Sequence, residues 1–244
     1  MTRRRWIADS WDESRAALGG TQAAHLARVL RAQAGMEFDV VAGDRVRRGV
    51  VLEISESAVI FTLGGELEAD PCLPITLLLA IFKFDRMEWA IEKATELGVE
   101  RIVPVIARRT EKHLAQAAAA RVERWRRIAR EAAQQSRRSD TLVVGQARSF
   151  RDAISDAPEE LRLLLAENER GLTLRDALDQ SETDSMDKES RRVRSAVGPE
   201  GGWTPEEETL FANEGWKPVT LGPRILRAET AAIAAVSIVS AFLQ

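Results

Sequence analysis

The chain has 244 residues, of which 45% are hydrophobic and 30% charged, and its net charge is −3. That is enough chain to bury a sizeable core in one large or two small domains. No apolar run is long enough to span a bilayer, and no apolar stretch follows the basic N-terminus to make a secretory signal. A single cysteine, Cys72, excludes an internal disulfide. With only His25 and His113 beside it, no metal site is expected. The expected compartment is the cytoplasm, with no membrane partner. The small net charge hides a segregation: Arg101 to Arg138 is strongly basic, whereas Asp152 to Glu189 is strongly acidic. A basic segment of this kind has the form of an electrostatic footprint for nucleic acid. A solvated helix face balanced by the acidic segment has the same composition, and charge alone does not separate the two.

Residues 1–70 read as mostly β. Phe38–Val41, Gly49–Ile54 and Ala58–Leu63 are short runs bounded by Gly, Asp and Ser. Ala24–Arg31 predicts a short amphipathic helix, with Leu26, Val29 and Leu30 on one face and His25, Arg28 and Arg31 on the other. A small β-barrel with one helix fits this pattern. Glu66–Pro74, with two prolines and an acidic run, reads as a linker. We therefore expect a boundary near residue 70, giving domains 1–70 and 71–244.

From Ile75 onward, strands alternate with helices. Ile75–Ile81 is a continuous apolar run, as in a strand buried on both faces of a parallel sheet. Asp85–Leu97 predicts a helix capped by Asp85 and ended by Gly98, with Met87, Ala90, Ile91, Ala94 and Leu97 as its stripe. Arg101–Ile106 follows as a strand. Next comes a helix over Ala115–Gln135, with Val122, Trp125, Ile128, Ala129 and Ala132 inward. Thr141–Val144, Leu161–Ala166, Val193–Val197 and Lys217–Leu221 complete the strands. The alternation predicts an α/β domain with a mostly parallel sheet. Gln180–Arg192 is polar and reads as a surface loop. The final helix, Ala228–Leu243, carries no charge after Glu229. A helix apolar all round is buried all round, which predicts a homodimer through this helix.

Two loops leave strands and enter helices close to the C-terminus. The first, Gly198-Pro199-Glu200-Gly201-Gly202, precedes a helix start in which Thr204 is the N-cap, Pro205 the first residue and Glu207 the capping-box partner. The second runs Leu221-Gly222-Pro223-Arg224-Ile225-Leu226-Arg227-Ala228-Glu229. Either alone reads as a tight turn and a capped helix. Together, at the carboxyl ends of strands, they stand where an α/β sheet holds a ligand. Neither is a Rossmann or Walker A loop.

GPEGG followed by an acidic helix, and then LGPRILRAETA, resembles the C-terminal signature of the RsmE-like ribosomal RNA methyltransferases, of the SPOUT class. Phe82–Pro104 (FKFDRMEWAIEKATELGVERIVP) and Arg124–Arg138 (RWRRIAREAAQQSRR) are similar to two further blocks of that family, in the same order. The start of the Ala24–Arg31 segment is also similar to the family's N-terminal region. The resemblance implies a C-terminal trefoil-knotted SPOUT domain and an N-terminal PUA-like RNA-binding β-barrel. It implies transfer of a methyl from S-adenosylmethionine to N3 of a uridine in 16S ribosomal RNA, either free or in the small ribosomal subunit. It also implies that Gly198, Glu200, Gly201, Leu221, Gly222, Ile225, Leu226 and Ala228 hold the cofactor, with Leu165 to Glu167 as a third wall. Gln180–Arg192 then reads as an insertion.

Methylation at N3 requires loss of a proton, so a base or a cation facing the resulting anion is needed. Glu229 is the expected base, Arg227 the expected anion stabiliser, and Glu200 an alternative base. An ion pair between Arg227 and Glu229 that merely fixes the helix start is the competing reading. RNA contacts are expected from Arg3, Arg4, Arg5, Arg28 and Arg31 in the first domain. In the second, they are expected from Arg108, Arg109, Lys112, Arg137 and Arg138. Charge argues phosphate contact only. Trp203, beside a helix start, is expected to pack rather than stack. Alternatives are a SPOUT enzyme acting on a ribose 2′-hydroxyl or on tRNA, or a catalytically inactive RNA-binding or ribosome-assembly protein.

Overall fold

A computed structural model describes residues 5–55, 57–69, 71–155, 161–184 and 191–244. The chain divides into two compact units, one of Met1–Cys72 with Arg130–Thr141, the other of Leu73–Ala129 with Leu142–Gln244.

The first unit is a six-stranded sheet in the order β1-β4-β5-β6-β3-β2. Its strands are β1 (Arg5–Ile7), β2 (Ser10–Trp11), β3 (Arg15–Gly19), β4 (Glu37–Ala42), β5 (Arg45–Ile54) and β6 (Ala58–Leu67). Strand β1 pairs parallel to β4 and the other neighbours pair antiparallel. No pairing among the described residues joins the edge strands β1 and β2, so by hydrogen bonding this is an open sheet. Trp6, Leu18, Leu26, Val40, Val59 and Phe61 form its core.

The amphipathic helix expected over Ala24–Arg31 is corrected. The chain forms a short helix α1 (Gly20–Ala24) and then a π-helical turn, His25–Val29. The wider turn changes which residues share a face. Leu26 is buried, but Val29 is 65% and Leu30 46% exposed. Arg31 then turns the chain with a positive φ of 50°.

The second unit holds a seven-stranded sheet whose pairings are all parallel. Its strands are β7 (Leu73–Ala80), β8 (Val99–Ile106), β9 (Val143–Val144), β10 (Arg148–Ser149), β11 (Leu161–Leu165), β12 (Val193–Val197) and β13 (Lys217–Val219). The order is β10-β8-β7-β12-β11-β13, with β9 beside β8. Strand β7 is buried on both faces, as its unbroken apolar run predicts. Ile75, Leu77 and Leu79 enter one core, and Leu78 and Ala80 the other.

The larger core is closed by α2 (Phe84–Glu96), α3 (Lys112–Gln135), α5 (Leu174–Asp184) and α7 (Ala228–Leu243). The smaller is closed by α4 (Phe150–Ile154) and α6 (Pro205–Asn213), where Phe150, Trp203, Phe211 and Trp216 pack edge to face or tilted. Trp125 on α3 is fully buried.

Several boundaries differ from expectation. Lys83, not Asp85, is the N-cap of α2, and it makes no side-chain cap. Asp85 lies in the first turn, where the helix dipole favours a carboxylate. Gly98 ends this helix with φ 89°, the left-handed conformation that favours glycine. Residues Gln180 to Asp184, expected in a loop, belong to α5. Residues 185–190 of that expected loop lie outside the described residues.

The first unit generates a stability prediction. A Cβ at Gly49 would stand 2.5 Å from Val40 Cγ2, whereas one at Gly65 meets nothing within 4 Å. Gly49→Ala should therefore cost about 1–3 kcal/mol by overpacking, and Gly65→Ala should leave stability nearly unchanged. Urea unfolding of both variants checks this contrast.

Candidate functional site

Strands β11, β12 and β13 run parallel, so their carboxyl ends open on one edge of the sheet. The loops that leave those ends surround a cavity of about 520 Å³. Leu165, Ala166 and Glu167 come from the β11 end, Gly198 to Trp203 from the β12 loop, and Leu221 to Ala228 largely from the β13 loop. Strand β12 lies between β7 and β11. The cavity thus sits beside a reversal of strand order, where open α/β sheets hold ligands.

The β12 loop is braced on both sides. Thr204 and Glu207 form the expected capping box: Glu207 N donates to Thr204 Oγ1 at 3.3 Å, and Thr204 N donates to Glu207 Oε2 at 2.9 Å. The other Glu207 oxygen accepts from Arg108 N at 2.7 Å. Arg109 donates to the Gly201 carbonyl at 2.6 Å and to the Trp203 carbonyl at 3.0 Å. Gly202 has φ 70°, open to glycine at little cost. A Cβ at Gly198 would press within 3.2 Å of Trp203 Nε1.

The β13 loop is tied by Thr220 Oγ1, which donates to the Gly222 carbonyl at 3.1 Å and accepts from Gly222 N at 3.2 Å. Gly222 has φ 115°, a conformation that a side chain would strain. In the β11 loop, the Glu169 carboxylate accepts from the amides of Leu172, Gly171 and Arg170. These amides hold its pKa below the ordinary value, the Leu172 amide most strongly.

Every expected cofactor residue lines this cavity: Leu165, Glu167, Gly198, Glu200, Gly201, Leu221, Gly222, Ile225, Leu226 and Ala228. Of the expected catalytic residues, Arg227 and Glu200 line it too, and Glu229 does not. Glu229 is 5% exposed and is ion-paired with Arg86, not with Arg227. The competing reading of an Arg227–Glu229 pair is therefore replaced by a pair between the first turns of α7 and α2. Glu200 lies 3.9 Å from Lys83 Nζ in an exposed, loose pair. Trp203 packs, as expected, although one edge reaches the cavity. The residues missed in the sequence include Arg86, Arg170 and Arg224, all on the cavity wall.

The expected RNA contacts fare unevenly. Arg3 and Arg4 lie outside the described residues. In the first unit, Arg28 and Arg31 are exposed. Arg5 is spent on the carbonyls of Arg137 and Glu68, and Arg137 pairs with Asp39 at 3.7 Å. Arg138 is corrected: it is 8% exposed and held by Asp140 at 2.9 Å, because a buried guanidinium needs a carboxylate. In the second unit, Arg108 and Lys112 are exposed, whereas Arg109 is the brace described above. Among the described residues, no His, Cys, Asp and Glu cluster suits a metal, and no helix is long and apolar enough to cross a membrane.

Residues 68–240 match the model of the RNA methyltransferase domain family. The chain belongs to this RNA methyltransferase family. The ribosomal RNA small subunit methyltransferase E of Synechocystis sp. is 34% identical over 236 residues, 95% of this chain and 75% of the relative. The methyltransferase E of Aquifex aeolicus is 30% identical over 217 residues, covering 88% of this chain and 90% of the relative. The crystal structure of methyltransferase E from Neisseria gonorrhoeae, bound to S-adenosylmethionine, superposes with a TM-score of 0.82 at 29% identity. It covers 96% of this chain and 95% of that one. A methyltransferase from Legionella pneumophila, also solved with S-adenosylmethionine, gives a TM-score of 0.85 at 28% identity, covering 99% and 98%. The family resemblance read from the GPEGG and LGPRILRAETA blocks is thereby borne out, as is the α/β fold with a parallel sheet.

The brace generates a prediction for this methyltransferase. Arg109→Ala removes both carbonyl contacts, so amide exchange at Gly202 to Thr204 should quicken by roughly 10-fold or more, one lost hydrogen bond to a charged group being worth about 1.5–3 kcal/mol. Exchange in β7 should not change. Hydrogen-exchange mass spectrometry checks both.

Proposed function

We propose that the chain methylates N3 of a uridine in small-subunit ribosomal RNA, using S-adenosylmethionine. The observation that carries this reading is the cavity. It is built mainly from the three strand-end loops, in a chain whose similar solved structures from Neisseria and Legionella hold S-adenosylmethionine. Its volume falls in the usual range for a small-molecule pocket. When bound, the cofactor supplies a methyl group on a sulfonium, a good electrophile that needs no metal.

The residues fit such a group. Glycine at Gly198, Gly201 and Gly222 keeps side chains out of the cavity, so a planar ligand can approach the backbone, and Leu165, Leu221, Ile225, Leu226 and Ala228 give apolar wall. Glu167 and Glu200 supply negative charge toward a cation. Arg227 and Glu200 also line the cavity, on opposite loops, and we assign them to contact with the target base.

We assign RNA contact to Arg28 and Arg31 of the first unit and to Arg108 and Lys112 of the second, all exposed. We read the first unit, residues 1–70 in the main, as a PUA-like RNA-binding barrel, and residues 71–244 as a knotted SPOUT domain. The place of β12, late in the chain, between β7 and β11 supports the second reading. A homodimer through α7 is the third element. Ile233, Ala234 and Ile238 are only half-buried on a helix with no charge past Glu229.

Two measurements test this function. Purified protein, S-adenosylmethionine and small-subunit RNA from cells lacking the modification should yield N3-methyluridine on nuclease digestion and mass spectrometry. Methyl on a ribose 2′-hydroxyl would move the assignment to the second target class. No transfer, with RNA still bound, would favour an inactive binder. In light scattering, the wild type should show twice the chain mass, and Ala234→Arg should show the chain mass alone. A monomeric wild type contradicts the dimer.

A further inference from the structure

The pair between Arg86 and Glu229 is the feature of the cavity that its loops do not explain. Arg86 stands in the first turn of α2 and lines the cavity, with its side chain 31% exposed. Glu229 stands in the first turn of α7, behind the wall. Its Oε1 accepts from Arg86 Nη1. Its Oε2 is buried and has no hydrogen-bond partner among the described residues.

A buried ion pair is weak evidence for stability, because desolvation cancels much of the attraction. Leaving one carboxylate oxygen unsatisfied adds a further cost. What the arrangement does achieve is direction. A guanidinium has five donors in a fixed fork. One is anchored to Glu229, while the Nε and Nη2 donors of Arg86 have no partner among the described residues and are not fully buried. Arg227, by contrast, is exposed and has no ion pair among the described residues. A preorganised donor stabilises developing charge without reorganising at the moment of reaction, which a mobile one cannot do.

We propose that Arg86, held by Glu229, is the catalytic cation that stabilises the anion formed on the target base, and that Glu229 is its positioning residue rather than the proton acceptor. The inference rests on the function proposed above. In the step it serves, the N3 proton passes to solvent, leaving an anion shared between N3 and the flanking carbonyl oxygens. N3 then uses its electron pair to bond the methyl carbon, while the sulfur–methyl bond breaks and its electron pair stays on sulfur. Arg86 donates to a carbonyl oxygen that carries the anion.

The experiment compares wild type with Arg86→Ala, Arg86→Lys, Glu229→Gln and the double variant Arg86→Ala/Glu229→Gln. The readouts are calorimetry with S-adenosylmethionine, thermal unfolding, and kcat as a function of pH. We expect Arg86→Ala to bind S-adenosylmethionine within roughly 3-fold of wild type and to lose about 10²–10³ in kcat, the range for one oxyanion donor. Its rate should rise with pH to a limb displaced upward by about one unit, since the base anion is then less stabilised. Lysine should restore part of the rate and part of the displacement. Arg86→Ala should also lower the unfolding midpoint by leaving Glu229 buried and unpaired, and the added Glu229→Gln change should recover it.

Loss of S-adenosylmethionine binding in Arg86→Ala would overturn the assignment, as would a fall in kcat with no displacement of the pH limb. Abolition by Glu229→Gln beside a mild effect of Arg86→Ala would make Glu229 the base and also overturn it. A wild type that binds no S-adenosylmethionine would instead contradict the proposed function itself, and with it this step.

Discussion

Parallel pairing on both sides of β12 is the constraint on which the rest depends. Hydrogen bonds tie Val193–Val197 to Ile75–Leu79 on one side and to Leu161–Leu164 on the other. Because these strands and β13 run the same way, their carboxyl ends share one edge, and the three loops that leave them face each other. Parallel strands require helical crossovers on both faces. The residues of β7 supply both cores by alternation, Leu77 and Leu79 to one and Leu78 and Ala80 to the other. The cavity is a consequence of that strand order.

Once the strands are in place, small local devices hold the loops open. Gly222 at φ 115° and Gly202 at φ 70° turn the chain where side chains would resist. Glu207 serves two purposes, closing the capping box and accepting from Arg108 N. Nearby, Glu206 is held below its ordinary pKa, first by its own backbone amide and next by Thr204, with the positive charges of Arg108 and Arg109 adding to both. Its folded-state pKa is depressed, so whatever it contributes is present at neutral pH and fades as pH falls below the ordinary value of 4.5. The cavity therefore combines rigid backbone with a charged lining of both signs, which suits a zwitterionic ligand beside a polyanion.

Much of this was legible locally. The apolar run of β7, the Thr204–Glu207 capping box and the stop at Gly98 are each determined within a few residues, and each is found where the sequence places it. Both glycine loops were legible for the same reason. What escaped depends on partners far along the chain. Strands β1 and β2 are too short to show alternation, and β1, β2 and β3 form because β4, β3 and β6, respectively, accept them. Val29 and Leu30 keep a helical period in the sequence, but the π-helical turn moves them to solvent. Arg86 and Glu229 lie 143 residues apart, so neither carries a local sign of the other. Arg138 reads as a surface charge until Asp140 is seen to hold it in a buried site.

On the function proposed above, the β13 loop is a cofactor wall whose shape glycine alone permits. Calorimetric titration of wild type and Gly222→Val with S-adenosylmethionine tests it most directly. A Cβ at Gly222 would meet nothing within 4 Å, so the substitution acts through the backbone, at φ 115°, and not through a clash. The wild type should bind, and a variant whose circular dichroism is unchanged should lose roughly 10-fold or more, about 1–3 kcal/mol of strain standing against the bound loop conformation. Equal affinity in the two proteins would contradict it.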